Sequence, residues 1–185
     1  EFSSVLQRCD EAMAPWVDWS IREQLALVPG DAGYLLDRID VIQPTLVALA
    51  IAYAEWLRAA GIEPDAVVGH SMGEVAAAHI AGVLELGDAM HIVCARSQLM
   101  LRTSGQGAMA LVDLGFAELQ ARLVGREAEL SVAVSNSPRS SVISGDPKAV
   151  QEVLAALEAE GVFCRLVKVD VASHSPQMAP LAAEL

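Results

Sequence analysis

The sequence predicts an α/β fold in two parts, and three observations carry that reading. From the first residue to about Gly105, apolar residues recur at helical spacing around one short apolar run at Val67-Val68. After Gly105 the rhythm changes to short alternating stretches interleaved with two helical ones. Directly after the Val67-Val68 run stands Gly69-His70-Ser71-Met72-Gly73, a glycine-bounded sharp turn that leads into a helix. Composition agrees. With 54% apolar and 19% charged residues the chain is globular, and aromatics at only 4% beside abundant alanine suit helices packed on a sheet rather than a β-sandwich.

In the first part, Phe2 to Met13 reads as an amphipathic helix ended by Pro15, and Ser20 to Leu27 as a shorter one ended by Pro29-Gly30. Pro44 to Ala60 is a strong helix, with Pro44 in its first turn and Gly61 as its C-cap. Asp65-Ala66-Val67-Val68 is expected as a brief buried strand, residues 69–73 as a sharp turn, and Glu74 to Ala81 as a helix. Asp88 is expected to cap a further helix through about Leu101.

In the second part, strands are expected at Met109–Leu114, Leu130–Ser135, Ser141–Ser144 and Phe163–Val171. Helices fall between them at Ala117–Val124 and Pro147–Glu160, the latter capped by Asp146. The order βαββαβ is the ferredoxin-like arrangement, a four-stranded antiparallel sheet with two helices on one face. Gly105-Gln106-Gly107 is the expected hinge.

Several function classes are disfavoured. A formal charge of −12 repels phosphate backbones and anionic lipid, so neither nucleic acid nor a membrane surface is an expected partner. The stretch Val41 to Ala60 comes nearest to the ~20 apolar residues of a membrane span, but Glu55 and Arg58 interrupt it. No basic segment followed by an apolar one suggests a secretion signal. Cys9, Cys94 and Cys164 are scattered and odd in number, which reads as small apolar residues in a reducing cytoplasm; no metal site is expected. Both ends of the sequence fall inside helical patterns, so a fragment of a longer domain is expected.

The chemistry concentrates at Ser71. Gly-x-Ser-x-Gly between a strand and a helix lifts a serine hydroxyl out of the chain at a strained turn. Gly69 and Gly73 are expected to remove side chains that would clash in so tight a bend. The following helix points its N-terminus at the oxygen, making the Met72 N–H a natural oxyanion donor. A serine nucleophile needs a base. His70 adjoins Ser71 and should point away from it, while His79 lies roughly 12 Å down the helix. His79 and His91 read as structural or surface histidines. His174 differs, because Ala172-Ser173-His174-Ser175-Pro176 follows the last strand of the second part, where the chain must cross back. Arg96, within Val93-Cys94-Ala95-Arg96-Ser97-Gln98, reads either as a solvated arginine or as a bidentate carboxylate clamp.

Taken together, Gln43-Pro44, Gly69-His70-Ser71-Met72-Gly73-Glu74, Arg96 and Ala172-Ser173-His174-Ser175-Pro176-Gln177-Met178 resemble the acyltransferase domains of modular type I polyketide synthases. The same set is similar to the malonyl-CoA:acyl-carrier-protein transacylases of fatty-acid synthesis. The resemblance runs along essentially the whole chain and takes in Gly107-Ala108-Met109, Asn136-Ser137-Pro138 and Ser144-Gly145-Asp146.

That resemblance implies a partial α/β-hydrolase-like large subdomain over 1–105, an inserted ferredoxin-like subdomain over 106–172, and a return to the large subdomain over 173–185. It implies a cytoplasmic enzyme of bacterial secondary metabolism that binds no cofactor. Its substrates would be a coenzyme A thioester and the phosphopantetheine of an acyl carrier protein, beside neighbouring synthase domains. Ser71 would be acylated, His174 would act as general base and then acid, and Arg96 would hold the free carboxylate of a malonyl-type group. Gln43 would line the site, with His70 and Met72 flanking the nucleophile. A Gly-Gln-Gly-Ser strand before Phe2 and further elements beyond Leu185 would belong to the complete domain, so these residues alone should be a poor catalyst of marginal stability. In the resembled family the tetrad ending at the active histidine tracks the acyl group. Here it is Val171-Ala172-Ser173-His174, whose Ser173 leaves room for a methyl branch, so methylmalonyl is favoured slightly over malonyl. Two other readings stand beside this one. A serine thioesterase of α/β-hydrolase type would need a triad acid from among Asp113, Asp146 and Asp170. A non-catalytic interaction module would keep the motif only as a relic.

Overall fold

Helices build the first of the two units into which the chain divides, Glu1–Leu101; the second is Arg102–Leu185. The computed structural model describes residues 1–184. Helix α1 (Phe2–Met13) forms as its periodicity predicts and buries Val5, Leu6, Cys9 and Met13 along one stripe. Helix α2 (Ile21–Ala26) starts at Ser20, whose hydroxyl caps Glu23 N while the Asp10 carboxylate takes Ile21 N at 2.6 Å. Helix α3 (Ile39–Ala59) begins five residues before the expected start, so Pro44 lies inside it. The ring there opposes only Asp40, in the helix's first turn, which is acidic and paired with Arg38. At the other end Gly61 (φ 81°) closes a Schellman turn, with Gly61 N on Arg58 O and Ile62 N on Leu57 O.

By length and composition alone α3 would also suit a membrane span. Its Val47, Ala48, Ile51 and Ala52 instead form the centre of a core with α1, Ile21, Ala76 of α4 (Gly73–Ile80), and Met90, Val93 and Cys94 of α5 (Leu86–Leu101). Asp88 falls in the first turn of α5 rather than at its cap; there its charge still complements the helix dipole.

The expected strand at 65–68 is not formed: Val67 is 38% and Val68 95% exposed. A strand exists only by pairing with another, and among the described residues the first unit holds no other strand.

The second unit carries the expected βαββαβ order. It comprises β1 (Ala108–Val112), α6 (Phe116–Arg122), β2 (Leu130–Ser137), β3 (Ser140–Gly145), α7 (Pro147–Ala159) and β4 (Cys164–Leu166), in an antiparallel sheet ordered β2-β3-β1-β4. One face carries Ala110, Val112, Leu130 and Ile143 against Leu119 and Leu123 of the α6 region and Val150, Val153, Leu154 and Leu157 of α7. Asp146 caps α7 through Lys148 N and Ala149 N, both at 2.9 Å. β4 is shorter than the expected 163–171: Val167 N still donates to Met109 O (2.9 Å), and the strand ends where Val169 N turns back onto Val167 O (2.9 Å). A 3-10 helix follows at Pro176–Leu181. Residues 173–184 group by contact with this second unit. Helices and one small antiparallel sheet make the whole an α/β chain.

Candidate active site

Ser71 sits in the left-handed region of backbone space at φ 53°. The only other non-glycine residue with positive φ among those described is His174, at 58°. The turn at Ser71 is built by local sequence. Gly73 N donates to His70 O (3.0 Å) and Glu74 N to Ser71 O (2.9 Å), starting α4 directly from the turn. A β-carbon on Gly69 would fall inside the van der Waals envelope of Glu74 N, Glu74 Cα and Gly73 C, so glycine is obligatory there. Gly73 differs from the expectation. A β-carbon at that position meets nothing within 4 Å, because the first residue of α4 faces away from the bend. The Met72 N–H lies between the two turn-forming amides and Ser71, at the helix N-terminus. Ser71 and Met72 are half-buried, and His70 is exposed.

The structure brings Arg96 and Gln43 together. Arg96 Nη1, on α5, donates to Gln43 Oε1, on α3, at 2.7 Å. Half-buried, the guanidinium has its pKa drawn below the usual arginine value by desolvation, and no carboxylate pairs with it among the described residues. Arg38, Arg58, Arg102, Arg122 and Arg126 all have acidic partners. A desolvated cation resting on a neutral acceptor is chemically able to pair with an anion.

His79 and His91, expected as structural or surface histidines, have partners of their own. His79 Nδ1 lies 2.9 Å from Leu84 O. His91 stacks on Trp16 with ring centroids 3.7 Å apart, company that its sequence neighbours do not announce.

In the second unit, Val171 is 1% exposed, Ala172 is buried, Ser173 is half-buried and the His174 side chain is exposed. The turn is held by Ser175 Oγ donating to Ala172 O (2.7 Å) and accepting from Gln177 N (3.2 Å). Sequence reasoning missed two neighbours of this turn. Ser131 Oγ donates to His174 O at 2.5 Å, and the Asp170 carboxylate takes Ser104 Oγ and Gly105 N. Only the polar Ser-Gly run facing an aspartate hinted at the second. Asp146 and Asp170, two of the carboxylates a hydrolase triad would draw on, are thus already engaged by local donors. A groove of about 560 Å³ between α6 and β2, lined by Phe116, Leu123, Val124, Leu130 and Val132 among others, holds none of the candidate residues.

A model of the acyl transferase domain matches residues 1–185. Erythronolide synthase EryA2 of Saccharopolyspora erythraea is 48% identical over 184 residues, all of this chain but 5% of that protein. The spectinabilin polyketide synthase system protein NorA' of Streptomyces orinoci is 46% identical over 185 residues, again 5% of its length. Among solved structures, the acyltransferase domain from module 8 of the salinomycin polyketide synthase superposes with a TM-score of 0.93 at 44% identity, covering 99% of this chain and 43% of that one. The chain thus spans less than half of that domain structure and a small part of each synthase.

Proposed function

Because this chain belongs to the acyl transferase domain family, with polyketide synthases as its relatives, we propose that it takes a malonyl-type acyl group from coenzyme A onto Ser71 and passes it to an acyl carrier protein. His174 removes the hydroxyl proton as Ser71 attacks the thioester carbonyl, then returns it to the departing thiol. The Met72 N–H meets the tetrahedral oxyanion. Arg96, steadied by Gln43, grips the distal carboxylate and so excludes simple acyl groups. Carrier phosphopantetheine then replaces coenzyme A in a ping-pong cycle in the cytoplasm, without a bound cofactor. Ser173 leaves space beside the α-carbon, which favours methylmalonyl slightly over malonyl.

The observation that carries this reading is Ser71's left-handed backbone at a turn so tight that residue 69 admits no side chain. Such strain is retained where it serves chemistry. Intact-mass analysis of the complete domain carrying this sequence, after exposure to acetyl-, malonyl- and methylmalonyl-CoA, tests it. A malonyl-type adduct that is absent from Ser71→Ala and moves to carrier protein is expected. No adduct on the wild type, or an undiminished one on the variant, defeats the reading.

A further inference from the structure

A left-handed conformation costs a residue with a β-carbon about 1–2 kcal/mol, and it persists where the surroundings over-determine it. His174 is so placed, and its contacts are specific. Before it, the Asp170 carboxylate accepts Ser104 Oγ–H and Gly105 N–H (3.0 Å), while the Asp170 carbonyl accepts Gly107 N–H (3.1 Å). At His174 itself, Ser131 takes the carbonyl. After it, Gln177 Nε2 donates to Gln106 O at 3.0 Å. Residues 104–107 therefore form a cradle that holds the chain on both sides of the histidine. Gly107 lets the two segments meet, since a β-carbon there would fall on Ala172 N and Val171 C.

We propose that Asp170 is a positioning residue for His174: through Ser104 and Gly105 its carboxylate fixes the start of the Val171–His174 turn and with it the place from which the imidazole works. The inference rests on His174 being the general base. Asp170 supplies three of the cradle's acceptor contacts, two of them converging on its Oδ2. It is the one Asp, Glu, Lys or Arg within either 104–107 or 170–177. Its loss leaves the acyl-binding groups of the first unit untouched, so the effect falls on the chemical step rather than on thioester binding.

The test is acylation of Ser71 in the complete domain, measured as rate constant and KM for methylmalonyl-CoA, with thermal melting alongside. Asp170→Ala is expected to lower the rate constant roughly 10- to 100-fold, as small displacements of a catalytic group do. KM should stay within about twofold. Asp170→Asn retains an acceptor for Gly105 N and is expected to recover most of the rate. Ser104→Ala is expected to be intermediate and to add nothing in the Asp170→Ala background. His174→Ala separates the two levels of argument. If it acylates like wild type, the general-base reading falls and this inference with it. If it is slow while Asp170→Ala keeps the wild-type rate, or loses it only through a raised KM or a lowered Tm, the positioning role alone is overturned.

Discussion

Arg96 donates to Gln43 Oε1 at 2.7 Å across two helices, and this neutral partner is what leaves the guanidinium's charge available. Replacing Arg96 by Ala should cost carboxylate-bearing thioesters about 1.5–3 kcal/mol of transition-state binding, roughly 10- to 100-fold in kcat/KM. Acetyl-CoA should be nearly unaffected. Gln43→Glu should be worse than Gln43→Ala, because a carboxylate at that place would neutralise the clamp. Competition assays with labelled acetyl- and malonyl-CoA check both, and an unchanged preference in Arg96→Ala would remove the clamp.

The two elbow glycines should respond oppositely. Gly69→Ala drives a β-carbon into the backbone of residues 73 and 74 and should abolish acylation or folding. Gly73→Ala opens onto free space at the first helical position and should raise stability by up to about 1 kcal/mol through helix propensity. Denaturant titration decides; equal destabilisation by both would contradict the turn described here.

Arg58 links the end of α3 to the end of α4. Its Nη2 donates to Ile80 O at 2.6 Å, besides pairing with Glu55 and Glu63. The ion pairs are partly solvated and contribute little, whereas the charged bond to a helix-terminal carbonyl is worth more. Arg58→Ala should therefore cost about 1.5–3 kcal/mol and Glu55→Ala under about 1 kcal/mol. Comparable losses in urea unfolding would mean that the carbonyl contact is idle.

Burial raises the Cys9 and Cys94 thiols from 9.0 to about 11. The unfolded chain therefore ionises first. Stability from these thiols is complete below pH 9 and is lost as pH climbs from about 9 to about 11. Unfolding free energies measured at pH 8 and 10.5 should show that decline, and Cys9→Ala with Cys94→Ala should flatten it. At pH 8, Cys164, the one half-buried thiol, should react first with a disulfide reagent.

Much of the fold was legible because its signals are local. The stripe of α1, the Asp146 cap and the alternation of β1 to β3 depend on residues a few positions apart, and each element appeared within a few residues of its expected place. The failures involve partners far along the chain. Asp65–Val68 has the composition of a strand but no ladder to join. Phe163–Val171 alternates like a strand, yet after Val167 N meets Met109 O the chain turns at Val167–Val169 and passes to Asp170's contacts with Ser104 and Gly105. Pro44 suggested a helix start because proline suits a first turn; α3 instead begins at Ile39 and accepts the loss of the bond that residue 44 would donate to Asp40 O. Among the candidate residues, the motifs marked Ser71, His174 and Arg96. That Gln43 touches Arg96 follows only from how α3 lies against α5.

The close approach of Gly107 to Ala172 bears on protein engineering. Exchanging the Val171–His174 tetrad alone, on the proposal that Ser173 helps select the acyl group, would transplant side chains while leaving their mounting behind. A donor cassette shaped for a different mounting would arrive tilted. Chimeras that carry residues 104–107 along with the tetrad should keep more turnover than tetrad-only swaps.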